Sequence, residues 1–215
     1  MRGITIIGGG NSLHTGNDLG LVQEIKEIGK PAVQTYTVQV PGRNGLLNLT
    51  KGLTGRVMYN NRPLRFQYCG DGSHPHLLDL DALMSRYHGQ TVRIIDDDYP
   101  EHYYEGEAAV STVFGYGYLT ITLSVNALPF RYKRERTVVT EEIKGDKTLV
   151  LGNEGMESIP TITVSGELTV TLNGITAVLS AGTYEDPRFM LYGGENTVQV
   201  SGTGTITFNW QEGAI

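Results

Sequence analysis

Two histidines and three aspartates that lie close together in the sequence are the first candidates for chemistry. His74 and His76 flank a proline, and Asp71, Asp79 and Asp81 lie nearby. A metal site needs at least three ligands that converge in space, and nothing in this spacing closes such a set. We therefore expect a solvated turn before a helix, with the aspartates close to the positive end of the helix dipole, and no metal site.

Three further motifs match functional signatures only in part. Asp96–Asp98 offers oxygen ligands for a divalent cation but lacks the EF-hand loop pattern, so a solvated hairpin tip is favoured. Gly8–Gly10 follows a short apolar run, but a nucleotide fingerprint would need Gly or Ala where Leu13 stands, so a flexible turn is favoured. Cys69 has no flanking signature of a thiol enzyme, and no G-x-S-x-G elbow occurs. The sequence therefore predicts no catalytic, cofactor-binding or metal-binding residue, and no enzyme.

A cluster of aromatic residues is more informative. Six aromatic side chains are interleaved with Gly115 and Gly117: Tyr99, Tyr103, Tyr104, Phe114, Tyr116 and Tyr118. Tyrosine combines a large apolar area with a polar tip, as in sugar-binding and protein-binding surfaces. Alternating tyrosines also occur as ordinary cross-strand packing, so both interpretations stay open.

The composition predicts a folded, mostly β protein. Of 215 residues, 39% are hydrophobic, and 28 are glycines separated by Thr, Val, Ile, Leu and Tyr. This mixture is typical of short strands joined by tight turns. The net charge of -6 disfavours a protein that binds nucleic acid by neutralising phosphates. The single cysteine excludes an intramolecular disulfide, and no segment reaches the roughly 20 apolar residues of a membrane span.

The first 131 residues alternate between strand patterns and one helix pattern. The spacing of apolar residues predicts a helix over about 77–88, ended by Gly89. Period-two alternation predicts strands, of which the first is half-buried and the first three form a β-meander. The predicted strands are 35–40, 56–59, 64–68, 91–95, one from His102, and 118–125. We therefore expect a β-domain with one α-helix over 1–131.

A dense charge cluster from Arg131 to Arg136 has no apolar periodicity and predicts an exposed connector between two domains. Residues 1–131 carry 11 Lys+Arg and 12 Asp+Glu, whereas residues 132–215 carry 6 and 11. The second half repeats short strands that end near glycine, with a type I′ hairpin turn at Asn173-Gly174. We expect a small β-sandwich or jelly roll over 132–215.

Several stretches, taken in order, resemble the N-terminal domain of the distal tail proteins of siphophages. They are Val40–Gly45, the His88-Gly89 helix end before the acidic turn, Tyr104–Gly106 and Pro129–Tyr132. The second half is similar to the C-terminal β-sandwich of that family at Asn153–Gly155, Gly193–Val198 and Ser201–Gly204. The resemblance covers nearly the whole chain, and the order of the motifs is more specific than any one of them.

The resemblance implies a structural protein of a phage or prophage tail, without enzymatic activity or cofactor. In that family the N-terminal domain forms a hexameric ring, and a galectin-like sandwich hangs outside it. The ring joins the tail-tube protein to the tail-tip hub or baseplate, and DNA passes through its channel without specific binding. The implied location is the virion tail tip, after assembly in the host cytoplasm and without membrane contact.

The main alternative is a carbohydrate-binding module or tail-fibre adhesin. In the second half, Phe208 and Trp210 share a strand face with Ile206, so we predict that they belong to the core. A sugar platform would then have to come from Tyr184, Phe189 and Tyr192, beside the Glu185-Asp186 turn. We expect this half to mediate contacts without binding sugar. A hydrolase with spatially assembled carboxylates has no supporting motif.

Overall fold

The structure is a computed structural model that describes residues 2–50, 52 and 55–215. The chain divides into two compact units, one ending at Pro129 and the other spanning Phe130–Ile215. The mostly β class is confirmed, because strands far outnumber helical residues. The elements are β1 (Ile4–Gly8), β2 (Asn11–His14), β3 (Val22–Ile28), β4 (Thr37–Gln39), β5 (Leu46–Asn48), β6 (Arg62–Asp71), α1 (His74–Ser85), β7 (Thr91–Asp96), β8 (His102–Phe114), β9 (Tyr118–Ala127), β10 (Arg131–Lys133), β11 (Thr137–Lys144), β12 (Lys147–Asn153), β13 (Thr161–Val164), β14 (Glu167–Leu172), β15 (Ile175–Leu179), β16 (Gly182–Tyr184), β17 (Gly194–Trp210) and β18 (Gly213–Ala214).

An antiparallel sheet in the order β2-β1-β7-β8-β9-β6-β3 forms the first unit. Alternate residues of β6 and β9 point to one face, where Phe66, Ile121 and Leu123 are fully buried. Helix α1 covers this face with Leu80 and Met84. The opposite face of the same strands is polar, as expected where a sheet has one face in water.

Helix α1 begins three residues earlier than predicted, at His74 instead of Leu77, and ends at Ser85. Pro75 lies in the first turn, where its missing N–H costs no helical hydrogen bond and its fixed φ suits the helix. His74 and His76 therefore lie in the helix, and the predicted turn at these residues is wrong. Gly89 has a φ of 72°, as expected for a residue that turns the chain after a helix.

The predicted meander is wrong. Strand β4 pairs with β5, while β6 pairs with β3 and β9, so sequential neighbours are not spatial ones. The predicted strand over 56–59 is reduced to one bridge between Tyr59 and Val33. All three residues of β4 are exposed, so the expected half-buried strand over 35–40 is also wrong.

In the second unit, one long strand organises the sheet. The 17 residues of β17 pair with β12 and β14 along their first half and with β11 and β13 along their second half. Between these halves Gly202 has a φ of 124°, and a Cβ there would lie 2.5 Å from the Glu167 carbonyl oxygen. The buried side chains of both halves form a single core, giving a β-sandwich that shares β17.

Two local predictions in this unit are confirmed, and one is wrong. Asn173 and Gly174 have φ values of 51° and 81° between the paired residues Leu172 and Ile175, as a type I′ turn requires. Phe208 and Trp210 are buried with Ile206. The expected exposed connector across Arg131–Arg136 is wrong in its first half, because β10 is paired with β18.

No helix among the described residues is long and apolar enough to cross a membrane.

Candidate functional site

The most distinctive surface feature of the first unit is the segment Val33–Tyr59, which we call the arm. At its base Gln34 N donates to the Met58 carbonyl at 2.8 Å, and Asn60 N donates to the Ala32 carbonyl at 2.8 Å. These bonds bring the two ends of the segment together. Among the described residues, β4 and β5 pair with each other and with no other strand.

The arm turns at Val40–Arg43. Proline at the second position and Gly42 at the third, with a φ of 80°, suit a type II turn, which the bond from Arg43 N to the Val40 carbonyl closes at 3.1 Å. The VPGRNG motif therefore lies at the end of a hairpin. Proline and glycine in this motif favour the backbone angles that the turn requires.

Apolar side chains of the arm remain exposed. Leu46 is 61% exposed and Val38 is 47% exposed, and the same holds for Val33, Tyr36, Val40 and Val57. Isolated two-stranded ribbons are marginally stable in water. A surface of this kind indicates a site of protein contact.

Charge also separates the arm from the rest of its unit. Residues 30–61 contain four Lys or Arg and no Asp or Glu, whereas the remainder of residues 1–129 contains six Lys or Arg and twelve Asp or Glu. Residues 30–61, which contain the arm and Lys30, thus carry a formal charge of +4 and the remainder -6. The absence of Asp and Glu over residues 30–61 is visible in the sequence, but the periodicity of apolar residues does not reveal it.

The six aromatic residues do not form one surface. Tyr104 is buried in the core, and Tyr103 is half-buried against the Arg93 guanidinium, 4.7 Å from its ring centre. The other four aromatic side chains are exposed: Tyr99, Phe114, Tyr116 and Tyr118. Three of these belong to the turn between β8 and β9, which we call the aromatic tip (residues 113–118).

The histidines and aspartates around α1 are separated by the fold. His74 and His76 are exposed in the first turn, and the His74 ring meets the Phe114 ring edge-on at 6.4 Å. Asp81 accepts a hydrogen bond from Thr112 Oγ1 at 2.6 Å. Among the described residues, no three His, Cys, Asp or Glu side chains are grouped so as to hold a metal ion.

In the acidic turn Asp96–Asp98, Asp97 and Asp98 are exposed between the paired strands β7 and β8, as predicted, but Asp96 is buried and the three carboxylates belong to an ion-pair cluster. Asp96 is buried and pairs with Lys26, which also pairs with Asp98 at 2.6 Å. Burial acts to lower the pKa of Lys26, but its bonds to the two carboxylates outweigh burial and raise it. Asp97 accepts a bond from Gly3 N at 2.9 Å and pairs with His14 at 3.1 Å. The cluster joins β3, β7 and the N-terminal segment.

The other two candidates from the sequence, Gly8–Gly10 and Cys69, lie in the β-structure of the first unit. Gly8 pairs with Asn11, so Gly9 and Gly10, with φ values of 56° and 79°, form the β1–β2 hairpin turn. Cys69 is half-buried in β6, and burial raises the pKa of its thiol, which disfavours the reactive thiolate.

The three residues that a sugar platform in the second unit would have to use do not form one surface. Phe189 is buried in the core, and the Tyr184 hydroxyl donates to the Ser180 carbonyl at 2.9 Å. Only Tyr192 is well exposed, at 50%. A sugar ring would therefore find a single aromatic face in place of three.

Sequence reasoning did not single out Glu212, a heavily bonded carboxylate of the second unit. It is buried, pairs with Lys133 Nζ at 2.8 Å, accepts from Glu154 N at 3.0 Å and also bonds the Thr137 hydroxyl. Burial acts to raise the pKa of Glu212, but the bonds from Lys133 and Thr137 outweigh burial and lower it. Its partners are far apart in sequence, so no local pattern could reveal this role.

No protein-family model matches the chain, and no curated protein matches it significantly. Among solved structures, the chain is similar to the SPP1 Dit (gp 19.1) protein, described as a paradigm of the hub adsorption apparatus in phages that infect Gram-positive bacteria. The TM-score is 0.65 at 16% sequence identity, and the alignment covers 97% of this chain and 98% of that chain. The predicted resemblance to distal tail proteins is thereby confirmed at the level of the fold.

Proposed function

We propose that this protein is a structural subunit of a phage or prophage tail, a distal tail hub that forms a ring between the tail tube and the tail tip. The fold likeness to a hub protein along almost the entire chain supports this function. The observation that carries it is the arm, whose exposed apolar side chains are covered by no partner layer among the described residues of their unit. The proposed location is the virion tail tip.

The arm provides one half of a head-to-tail contact. In a ring, each subunit presents two different surfaces, one of which docks on the other surface of its neighbour. The basic arm is one such surface, and the acidic remainder of the same unit is its electrostatic complement. A contact between an arm and the acidic body of the next copy would repeat around the ring until it closes.

Burial of the arm would contribute part of the free energy of assembly. Complete burial of a valine or leucine side chain stabilises by roughly 1.5–3 kcal/mol, and about half of that remains available for a side chain that is half exposed. Four arm side chains, Tyr36, Val38, Val40 and Leu46, are between 36% and 61% exposed. Their burial would contribute about 3–6 kcal/mol per contact, which offsets part of the cost of lost translational and rotational freedom.

The proposed partners are further copies of this chain, the tail-tube protein and the tail-tip hub protein. A ring of this kind needs no catalytic site, and its channel would let DNA pass without specific binding. The low density of positive charge agrees with this, because strong binding to DNA depends on phosphate neutralisation.

Light scattering in solution tests the proposal. Six chains of 23.5 kDa would give about 141 kDa for a closed hexamer. Dimers or trimers that close into the ring only with tail-tube protein would also agree with the proposal. A strictly monomeric mass over a wide concentration range, with and without tail-tube protein, would refute it.

A matched pair of variants tests the role of the arm. Val38→Asp adds a charge to the arm, and Val150→Asp adds the same charge to a similarly exposed strand position in the second unit. We expect Val38→Asp to weaken each contact by about 3 kcal/mol, roughly a hundredfold, because it removes apolar burial and desolvates a carboxylate. Val150→Asp should leave the mass unchanged. Equal masses for the two variants would contradict the role of the arm.

A further inference from the structure

The aromatic tip is a second exposed surface of the first unit, distinct from the arm. Tyr116 lies at the turn with a relative exposure of 103%, so no described residue of its own chain covers it. Phe114, Tyr118 and Val113 are between 44% and 67% exposed beside it. Four large apolar or aromatic side chains thus remain in solvent within six residues.

The tip is held in one conformation. Gly115 N donates to the Tyr118 carbonyl at 2.8 Å, and Gly117 has a φ of 75°. Gly72 N bonds the Gly117 carbonyl at 3.2 Å, which ties the turn to the end of β6. The Tyr118 ring lies over Gly115, where any Cβ would clash with it. A rigid aromatic surface loses little conformational entropy when a partner binds.

An acidic residue flanks the tip, and the neighbouring segments carry no Lys or Arg. Asp71 is exposed and is the cross-strand partner of Tyr118, so its carboxylate lies on the same face as that ring. Residues 66–85 and 94–130, which include the tip, the end of β6 and α1, contain no Lys or Arg. The tip therefore combines aromatic rings with the Asp71 carboxylate, and no Lys or Arg lies in these segments.

Aromatic rings beside a carboxylate favour the binding of a positively charged group. The face of an aromatic ring attracts an ammonium or guanidinium group, and a neighbouring carboxylate adds an ion pair. We propose that the aromatic tip binds a Lys- or Arg-bearing segment of another protein, with Tyr116 and Tyr118 contacting the cation and Asp71 pairing with it. Tyrosine and arginine are enriched at the energetic centres of protein interfaces, which fits this surface.

The inference concerns a surface other than the arm and has a different readout, so its failure can be distinguished from a failure of the ring proposal. The probe is a dye-labelled peptide, Gly-Arg-Gly-Arg-Gly, titrated with the full chain at low salt and followed by fluorescence anisotropy. Low salt is needed because exposed charge pairs are screened. A peptide with citrulline in place of arginine has nearly the same shape without the charge, and it serves as the control ligand.

We expect saturable binding of the arginine peptide and at least tenfold weaker binding of the citrulline peptide. Tyr116→Ala should weaken binding about two- to fivefold, the range for one cation–π contact at an exposed site. Asp71→Asn should weaken it to a similar extent. Tyr99→Ala is the matched control, because Tyr99 is also exposed but lies beside the Asp96–Asp98 cluster, whose carboxylates are already paired.

Each of three results would overturn the inference. One is the absence of saturable binding by the arginine peptide. Another is an equal effect of Tyr116→Ala and Tyr99→Ala, which would indicate general attraction to an acidic protein. The third is a fall in mass by light scattering for Tyr116→Ala with peptide binding unchanged, which would assign the tip to a second copy of this chain.

Discussion

Replacing Glu212 by glutamine should destabilise the second unit more than any substitution of an exposed carboxylate. Glu212 is buried beside Lys133, Thr137 and the backbone N–H of Glu154. Glutamine has the same shape, so it can keep the bond from Glu154 N. Its amide group, however, would face the Lys133 ammonium with a donor where the carboxylate had an acceptor.

The magnitude follows from these contacts. Hydrogen bonds to charged groups contribute about 1.5–3 kcal/mol each, and breaking a fully buried ion pair costs about 3–5 kcal/mol. The Lys133 side chain is 37% exposed and can recover part of its hydration, which lowers the cost. We expect a loss of about 2–3 kcal/mol in the free energy of unfolding.

The effect should depend on pH with a definite sign. The pKa of Glu212 in the folded protein lies below its ordinary value of 4.5. A carboxyl whose pKa is lowered by folding stabilises the folded state above its ordinary pKa, and this stabilisation is lost as the pH falls through the lowered value. The difference between the wild type and Glu212→Gln should therefore be complete at pH 7 and shrink below about pH 4.5.

Urea unfolding monitored by the fluorescence of Trp210 measures this difference. Trp210 is the only tryptophan of the chain and is buried in the second unit, so the signal reports on that unit. Glu142→Gln provides the control, because Glu142 pairs with Lys144 while both side chains are largely exposed. Such pairs contribute about 0–1 kcal/mol. Equal losses for the two variants, or a Glu212→Gln effect that persists unchanged at pH 3, would refute the reasoning.

Two further predictions concern the second unit. Limited trypsin digestion should cleave at residues 134–136, which are exposed, before it cleaves within Arg131–Lys133, which form the paired strand β10. Mass spectrometry of the early fragments would detect this order. Protection of residues 134–136 while cleavage occurs within strands would contradict the prediction. Gly202→Ala should lower the free energy of unfolding by at least about 2 kcal/mol, because its φ of 124° and the nearby Glu167 carbonyl exclude a Cβ. Gly152→Ala, where a Cβ would meet nothing within 4 Å, should have a much smaller effect in the same urea titration.

Local patterns in the sequence determined the elements whose geometry depends on neighbouring residues. The alternation of Leu119, Ile121, Leu123 and Val125 predicted β9 and its buried face. Asn173-Gly174 predicted its turn, because few residues other than Asn and Gly adopt two successive positive φ values. In each case the physical cause lies within a few residues of the chain.

The arm shows that the alternation of apolar and polar residues does not predict whether a strand is buried. The pattern of residues 35–40 separates two faces of a strand, but it does not say whether another layer covers either face. In the structure both faces of β4 are exposed. The burial of a strand depends on elements that lie far away in the sequence, so only the tertiary structure decided that β4 pairs with β5 and stays exposed.

For the charged and aromatic candidates too, the sequence predicted the local position but not the burial or the partners. The sequence determined that Asp96–Asp98 and Phe189 stand near turns, where exposure is common. Only the tertiary structure decided that Lys26 pairs with Asp96 from another strand and that Phe189 enters the core of the second unit. The physical reason is that burial and ion pairing depend on distances in space, which chain folding sets between residues that are remote in sequence.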